Sequence, residues 1–135
     1  GGDIVEIARL YREIRRYGIP TNLNEAGLLK LAFRFRKAGR SEAAAEVFLE
    51  ILSNFPAGPT VELAWIRRAE ILWEDLGRTG EAQQTYHRFL AEFPESEWKD
   101  LAEARLGAMT AQSGKRRRAP TRPKTSGAAR VFGRR

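Results

Sequence analysis

The sequence contains no cysteine, one histidine, one methionine and no long run of apolar residues. Without cysteine the chain has no disulfide framework, no thiol nucleophile and no thiolate metal site, which is compatible with the reducing cytoplasm. Without roughly eighteen consecutive apolar residues, no segment predicts a membrane-spanning helix. The chain opens on Gly-Gly-Asp, with neither Met nor a basic-then-apolar leader. We therefore expect no signal peptide, and a processed product or an excised fragment.

Patterns that carry catalytic or metal-binding chemistry are also missing. His87 lies in the middle of a helical pattern, without a cysteine or a His–Glu pair at ligand spacing, so we interpret it as a surface or seam residue. Residues 77–80 are too short to cradle a phosphate and are interpreted as a turn between helices. The acids between residues 92 and 100 stand near a helix start, where they favour the helix dipole. We expect no enzyme, no metal site and no cofactor.

Positive charge is confined to the C-terminal end of the chain. The 135 residues carry a formal net charge of +7. Residues 1–112 hold fifteen Lys/Arg and seventeen Asp/Glu, a net charge of −2, whereas residues 113–135 hold nine Lys/Arg and no acid. The composition therefore indicates a nearly neutral globular body of one domain, followed by a basic tail.

Six segments of the body carry apolar residues at helical spacing, and no alternating run bounded by hairpin turns competes with them. The predicted fold class is therefore all-α. The predicted helices span residues 3–17, 22–38, 41–54, 60–76, 79–92 and 96–109. Asp3, Asn22 or Asn24, Ser41 and Ser96 are the expected caps. The first helix is predicted to carry one apolar face, made of Ile4, Ile7, Leu10, Tyr11 and Ile14.

The phrase EAAAEVFLEILSNFP at residues 42–56 returns as GEAQQTYHRFLAEFP at residues 80–94, thirty-eight positions later. Two-residue connections at Gly39-Arg40 and Gly77-Arg78 force neighbouring helices to pack antiparallel. Each hairpin then keeps a second apolar face that only stacking can bury. We predict a leading helix at 1–20, repeats at 23–56 and 60–94, and a closing helix at 96–112. The residues expected to be largely buried are Phe48, Ile51, Leu52, Tyr86, Phe89 and Leu90.

These residues resemble the tetratricopeptide repeat. That family sets a large residue, a Leu–small pair and an aromatic on its first helix, then Ala, an aromatic and Pro on its second. The first copy fits with Leu28, Leu31, Ala32, Phe35, Ala44, Phe48 and Pro56, and the second with Ile66, Trp73, Ala82, Tyr86 and Pro94. The second copy departs at Ala69-Glu70, and Ile51 and Phe89 replace the last Ala of the pattern. The resemblance implies a short right-handed α-solenoid of antiparallel helix hairpins.

The resemblance also implies a function. Such arrays act as protein–protein interaction adaptors and bind a peptide or a partner domain in a concave groove. The implied groove positions are Leu29, Phe33, Arg36, Lys37, Arg67, Ile71, Arg105 and Met109. Their mixture of apolar side chains and exposed cations favours an acidic or amphipathic peptide. The alternative is that Phe33 and Ile71 belong to the core and that the arginines are ordinary solvated charges. The family's clamp for a C-terminal carboxylate uses asparagines where this chain has Phe33 and Ile71.

The tail at residues 113–135 has few apolar residues and is predicted to be disordered. Its polyanion-binding candidates are Lys115, Arg116, Arg117, Arg118, Arg122 and Lys124. Such a run can hold the phosphates of nucleic acid or an anionic surface, which is the alternative function to the adaptor. Phe132 is its one aromatic residue, so base stacking is not indicated. A solvated tail without a dedicated partner is an equally open interpretation.

Overall fold

The computed structural model describes residues 2–118 of the chain, with side chains for residues 3–112. The helices in chain order are α1 (Gly2–Arg16), α2 (Glu25–Lys37), α3 (Ser41–Asn54), α4 (Val61–Glu70), a π-helical segment (Ile71–Asp75), α5 (Thr79–Glu92) and α6 (Lys99–Arg118). The all-α prediction is confirmed, since the described part contains no strand. This part divides into two units, the first ending at Ala102 and the second beginning at Glu103. Within residues 2–118, no helix combines the length and the apolar composition needed to cross a bilayer.

Two tight turns build the hairpins of the first unit. Gly39, between α2 and α3, has a φ of 79°, and Gly77, before α5, has a φ of 67°. Glycine adopts these left-handed angles without a steric cost. The following amides donate back into the helix, Arg40 N–H to the Phe35 carbonyl at 2.8 Å and Arg78 N–H to the Leu72 carbonyl at 2.7 Å. The Gly39 turn therefore closes α2 in the manner of a Schellman motif, whereas the Gly77 turn closes with a bond one residue wider, and both reverse the chain.

The core of the first unit is shared between consecutive helices. α1 packs against α2 and α3, α3 packs against α2 and α4, and α4 packs against α5. Ala44 and Ala82 are completely buried, and their small side chains let neighbouring helices approach closely. Of the six residues expected in the core, four are completely buried, namely Phe48, Ile51, Tyr86 and Phe89. Leu52 and Leu90 are only partly buried.

The predicted apolar face of α1 is only half correct. Ile4 and Tyr11 are buried, as is Ala8, but Ile7 is 39% exposed and Leu10 is 45% exposed. The reason is that α1 has neighbours on one side, α2 and α3, and these cover a narrower stripe than the sequence pattern suggested. Ile7 and Leu10 therefore form an exposed row beside the buried face of α1.

The fourth predicted helix does not run as one α-helix to Leu76. Its last turn is π-helical, and the Leu76 N–H donates to the Ile71 carbonyl, five residues back, at 3.0 Å. A π turn holds one residue more than an α turn, so the side chains beyond it are set back by about one position. Leu72 is buried as a result, whereas Trp73, expected at the aromatic core position, is only partly buried.

The helix caps agree with the sequence at only one of the expected positions. The Asn24 side chain accepts the Gly27 N–H at 2.7 Å and caps α2. Asp3 lies inside α1, and Ser41 is the first residue of α3, where its hydroxyl donates to Asp75 at 2.7 Å. Ser96 accepts the Trp98 N–H at 3.0 Å, but α6 begins later, at Lys99. Ser41 therefore makes a tertiary contact, and Ser96 stabilises the turn before α6, so neither serine caps its helix.

The helix α6 continues to Arg118, past residue 112, where the helical body was predicted to end. Ala, Lys and Arg have high helix propensity, and cations at 115–118 favour the C-terminal end of a helix dipole. The disorder predicted for residues 113–135 stays a prediction. The remainder of the predicted tail, including Arg122 and Lys124, lies outside the described residues.

Phe48 provides a test of the stacked core. We expect Phe48→Ala to lower the free energy of unfolding by about 3–5 kcal/mol, because the ring is completely buried. Leu49→Ala is the control, since the neighbouring Leu49 is 43% exposed, and its effect should stay within about 0.5 kcal/mol. Urea denaturation followed by circular dichroism measures both. Equal effects of the two substitutions would contradict the assignment of Phe48 to the core.

Candidate functional site

A shallow groove of about 760 Å³ runs beside α2 and is mostly apolar. We call it the α2 groove. Its floor is formed by Leu29 and Phe33 of α2 and by Phe55 and Pro59 of the connection between α3 and α4. Its edges are formed by Asn24, Glu25, Ala26, Lys30 and Thr60. It lies within the first unit and combines the first helix of one repeat with the segment that leads into the next.

The sequence of α2 explains why this face is available. Leu28, Ala32 and Phe35 point into the core and are completely buried. Leu29 and Phe33, one position further on, lie on the adjacent side of the same helix. Phe33 remains 40% exposed, yet its ring meets the Phe48 ring edge-on at a centroid distance of 5.8 Å. The groove therefore presents an aromatic surface whose inner edge is fixed by the core.

One end of the α2 groove is held by a hydrogen-bonded clasp between two repeats. The Glu25 carboxylate accepts the Thr60 N–H at 2.8 Å and also the Thr60 hydroxyl. Gly58 permits this approach, because a Cβ at that position would collide with the Glu25 carboxylate. The clasp fixes Pro59 at the groove wall.

The same clasp recurs in the second copy, where the Ser96 hydroxyl donates to Glu62 at 2.5 Å. Glu25 and Glu62 both stand in the first turn of the first helix of a repeat. Their partners Thr60 and Ser96 both stand at the entry to the next repeat. Sequence reasoning missed this pairing, although the recurrence of the glutamate and the hydroxyl at nearly the repeat spacing was a usable signal.

Unpaired cations border the open side of α2. Lys30 and Lys37 are exposed, and neither makes an ion pair within the side chains that the structure describes. Residues spaced by three and four positions share one helix face, so Lys30, Phe33 and Lys37 lie along the same side. The α2 groove therefore has an apolar floor and positive charge along one edge, with the carboxylate of Glu25 at its far end.

The equivalent place in the second copy is filled by the chain's own side chains. Arg67 replaces Leu29 at the thirty-eight-residue offset, and its guanidinium lies over the Trp98 ring at 5.6 Å from the centroid. Arg67 also pairs with Glu70 at 2.7 Å. A cation stacked on an aromatic face and paired with a carboxylate is held in place. Arg67 therefore closes the place that stays open in the first copy.

Arg36 links the two repeats through ion pairs and is not a free cation of the groove. Its guanidinium pairs with Glu70 at 3.1 Å, Asp75 at 3.0 Å and Glu74 at 3.4 Å, and its side chain is only 25% exposed. The π-helical segment ends with two of these acids, Glu74 and Asp75. Arg36 is therefore not the exposed groove cation that the resemblance implied, because the side chain links α2 to the next repeat.

The pKa values of this ion-pair cluster follow from its contacts. Hydrogen bonding to Asp75 is the largest influence on Arg36 and raises its pKa, in spite of partial burial. Burial by itself would raise the pKa of Asp75, but hydrogen bonds from Arg36 and Ser41 outweigh it and lower that pKa. Both shifts favour the charged forms of the pair. Arg36 and Asp75 are therefore both charged at neutral pH.

The structure separates the eight predicted groove positions into three groups. Leu29 and Phe33 come together in the α2 groove, and Lys37 lies on the same side of α2. Arg36 and Arg67 are engaged in ion pairs, as described above. Ile71 and Met109 are completely buried and offer no binding surface, and Arg105, in the second unit, is partly buried. Phe55 and Pro59 are groove residues that sequence reasoning did not include.

No catalytic arrangement accompanies the groove. His87 is exposed on α5, as expected for a surface residue. Among the described side chains, no group of three or more His, Asp or Glu residues could hold a metal ion. The absence of enzyme activity and of a cofactor stays a prediction.

Comparison with known proteins identifies one repeat. Residues 63–96 match the family model of the tetratricopeptide repeat. The matched segment contains most of α4, the π-helical segment and α5, so the resemblance predicted from the second copy is confirmed. Tetratricopeptide repeats act in protein–protein interaction, so the match indicates a role of this general kind without indicating a partner. No curated protein and no solved structure matches the chain.

The contribution of Arg36 to the link between the two repeats can be tested by substitution. We expect Arg36→Met to lower the free energy of unfolding by about 2–3 kcal/mol, because it deprives the nearly buried Glu70 of one of its partners. Arg34→Met is the matched control on the same helix, since Arg34 is exposed and makes no ion pair within residues 3–112. Chemical denaturation measures both variants. A loss for Arg36→Met no larger than for Arg34→Met would contradict this link.

Proposed function

We propose that the chain is a protein-interaction adaptor that binds an amphipathic or acidic peptide in the α2 groove. The observation that carries this proposal is Phe33, a large aromatic side chain that is 40% exposed at the centre of an apolar groove. Exposed aromatic residues with a fixed orientation contribute much of the binding energy in protein interfaces. The repeat match at residues 63–96 supports the same general function.

The charges beside the groove define the chemistry of the peptide. Lys30, near the middle of α2, and Lys37, at its C-terminal end, would attract carboxylates, whereas Glu25 would repel them at the N-terminal end. The 13 residues of α2 extend about 20 Å, enough for three turns of a helical peptide or about six extended residues. A fitting ligand has apolar side chains against Leu29 and Phe33 and an acidic residue near Lys37. We place this function in the cytoplasm.

Peptide selection tests the α2 groove. Phage display of random peptides against the immobilised full chain should enrich sequences that combine apolar and acidic residues. For a synthetic, fluorescently labelled peptide from that selection, Phe33→Asp should abolish binding. Lys30→Glu with Lys37→Glu should weaken it about tenfold or more, because both cations become repulsive. Fluorescence anisotropy measures the affinities.

The control for this experiment reverses two positive charges that lie outside the α2 groove. Arg88→Glu with Lys99→Glu alters two exposed cations on α5 and α6 and should leave the affinity unchanged. Thermal melting of the charge variants should be unchanged, since exposed charges contribute little to stability, and circular dichroism should show that Phe33→Asp is folded. Binding that survives Phe33→Asp in a folded protein would reject the α2 groove as the site.

A second candidate function rests on the uneven distribution of charge. All the net positive charge belongs to residues 113–135, which hold nine Lys/Arg and no acid. The proposal is that this tail holds a polyanion, nucleic acid or an anionic surface, through residues that include Lys115, Arg116, Arg117 and Arg118. Contacts with phosphates do not read base sequence, so this binding would show no preference among sequences.

A salt titration separates the tail from the body. Duplex DNA binding should fall with salt at a log–log slope of about −4 to −5 if four to six cations engage phosphates. Replacing the nine tail cations by Gln should abolish this binding and leave peptide binding by the α2 groove intact. Electrophoretic shift at several salt concentrations measures it. Sequence-selective binding that persists without the tail cations would assign nucleic-acid binding to the helical body instead.

A further inference from the structure

The exposed apolar side chains of this protein are concentrated in one place. Eight large apolar residues are exposed among the described side chains, and six of them lie within residues 5–23. Ile7, Leu10 and Tyr17 are 39%, 45% and 70% exposed, and Ile14 is partly buried. Their spacing of three and four positions puts all four along one side of α1 and its end. We call this row the α1 stripe. A contiguous apolar row of this kind marks an interaction surface, unlike single exposed residues.

The adjacent side of α1 is anchored to the rest of the first unit. Ile4, Ala8 and Tyr11 are buried in the core with α2 and α3. The Tyr11 hydroxyl donates to Glu50 at 2.7 Å, and Glu50 is almost completely buried. The α1 stripe is therefore displayed by a fixed helix and not by a frayed end.

Charged residues form one edge of the α1 stripe in a fixed order. Glu6, Arg9 and Glu13 are spaced by three and four positions, and their side chains are 56%, 59% and 48% exposed. Within one copy, Arg9 pairs with Glu6 at 2.5 Å and with Glu13 at 3.3 Å. The edge thus alternates acid, base and acid along the helix.

We propose that the α1 stripe binds the α1 stripe of a second copy of this chain in an antiparallel, two-fold symmetric dimer. A two-fold axis that lies between the two stripes and is perpendicular to both helices runs one helix antiparallel to the other. It also puts the charged edge of each helix on the same side of the interface, next to its counterpart. When Ile7 lies opposite Ile14 of the second copy, Arg9 comes within about one residue, or about 1.5 Å along the axis, of Glu13 of the second copy. The two-fold axis repeats the Ile7–Ile14 contact and the Arg9–Glu13 contact, so each occurs twice in the dimer. The antiparallel arrangement also pairs the helix dipoles favourably.

Self-complementarity favours a second copy over an unrelated partner. The apolar row can cover itself in this register, and Arg9 and Glu13 of the charged edge then meet charges of opposite sign. An unrelated acidic or basic helix would meet an edge that holds both signs and would gain less from it.

The oligomeric state of the full chain tests this proposal. Analytical ultracentrifugation over a range of concentrations should show a reversible dimer. Leu10→Lys should raise the dissociation constant tenfold or more, about the effect of burying a charge in an apolar contact. Leu49→Lys is the matched control, because Leu49 is 43% exposed and lies on α3, and it should leave the dimer unchanged. Unaltered melting curves would show that both variants are folded.

Charge exchange tests the register directly. Arg9→Glu and Glu13→Arg should each weaken their own dimer, because like charges then face each other across the axis. A mixture of the two variants should restore association as a heterodimer, since both cross-helix pairs become attractive again. This restoration cannot come from a change in the stability of either variant alone.

Three results would overturn the proposal. The first is a protein that stays monomeric up to about 1 mM, a concentration at which even weak pairs associate, and it would leave the stripe to another partner. The second is a dimer that survives Leu10→Lys. The third is a mixture of the charge variants that associates no better than either variant alone.

Discussion

A helical hairpin with two apolar faces can bury the second face only against another hairpin. In this protein α3 is a helix that has neighbours on both of its sides. It packs against α1 and α2 and also against α4. Four of its side chains, Ala44, Val47, Phe48 and Ile51, are completely buried. The inner edge of Phe33 rests on Phe48. The core, the orientation of α2 and the floor of the α2 groove therefore all depend on the packing of this single helix.

The sequence predicted the number of helices and the centre of the core, because periodicity reports which side of a helix is apolar. Phe48 and Tyr86 were placed correctly on that basis. Periodicity could not predict the π-helical turn at Ile71–Asp75, since one added residue per turn leaves the local composition unchanged. It also could not tell that Ile7 and Leu10 stay uncovered, because an apolar pattern does not say whether a neighbour is present.

The candidate site was predictable only in part. Leu29 and Phe33 follow from the position of α2 in the repeat, but the ion pairs of Arg36 join residues 34 to 39 positions apart, and no local pattern contains that pairing. The two repeats also differ at one decisive place. Leu29 leaves a groove open, whereas its counterpart Arg67 lies over Trp98 and fills the space. Sequence-equivalent positions in a repeat protein are therefore not functionally equivalent.

The clasps between Glu25 and Thr60 and between Glu62 and Ser96 have a consequence for the way the molecule opens. In a repeat array, the stability of each unit and of each interface add approximately, and the interface term decides whether neighbours unfold together. The Glu25 clasp and the Arg36 ion pairs cross the same boundary at different points along α2. A hairpin that detached there would have to break both at once. We expect these contacts to disfavour partial unfolding at this boundary, so that amide hydrogens on its two sides exchange with a shared opening free energy.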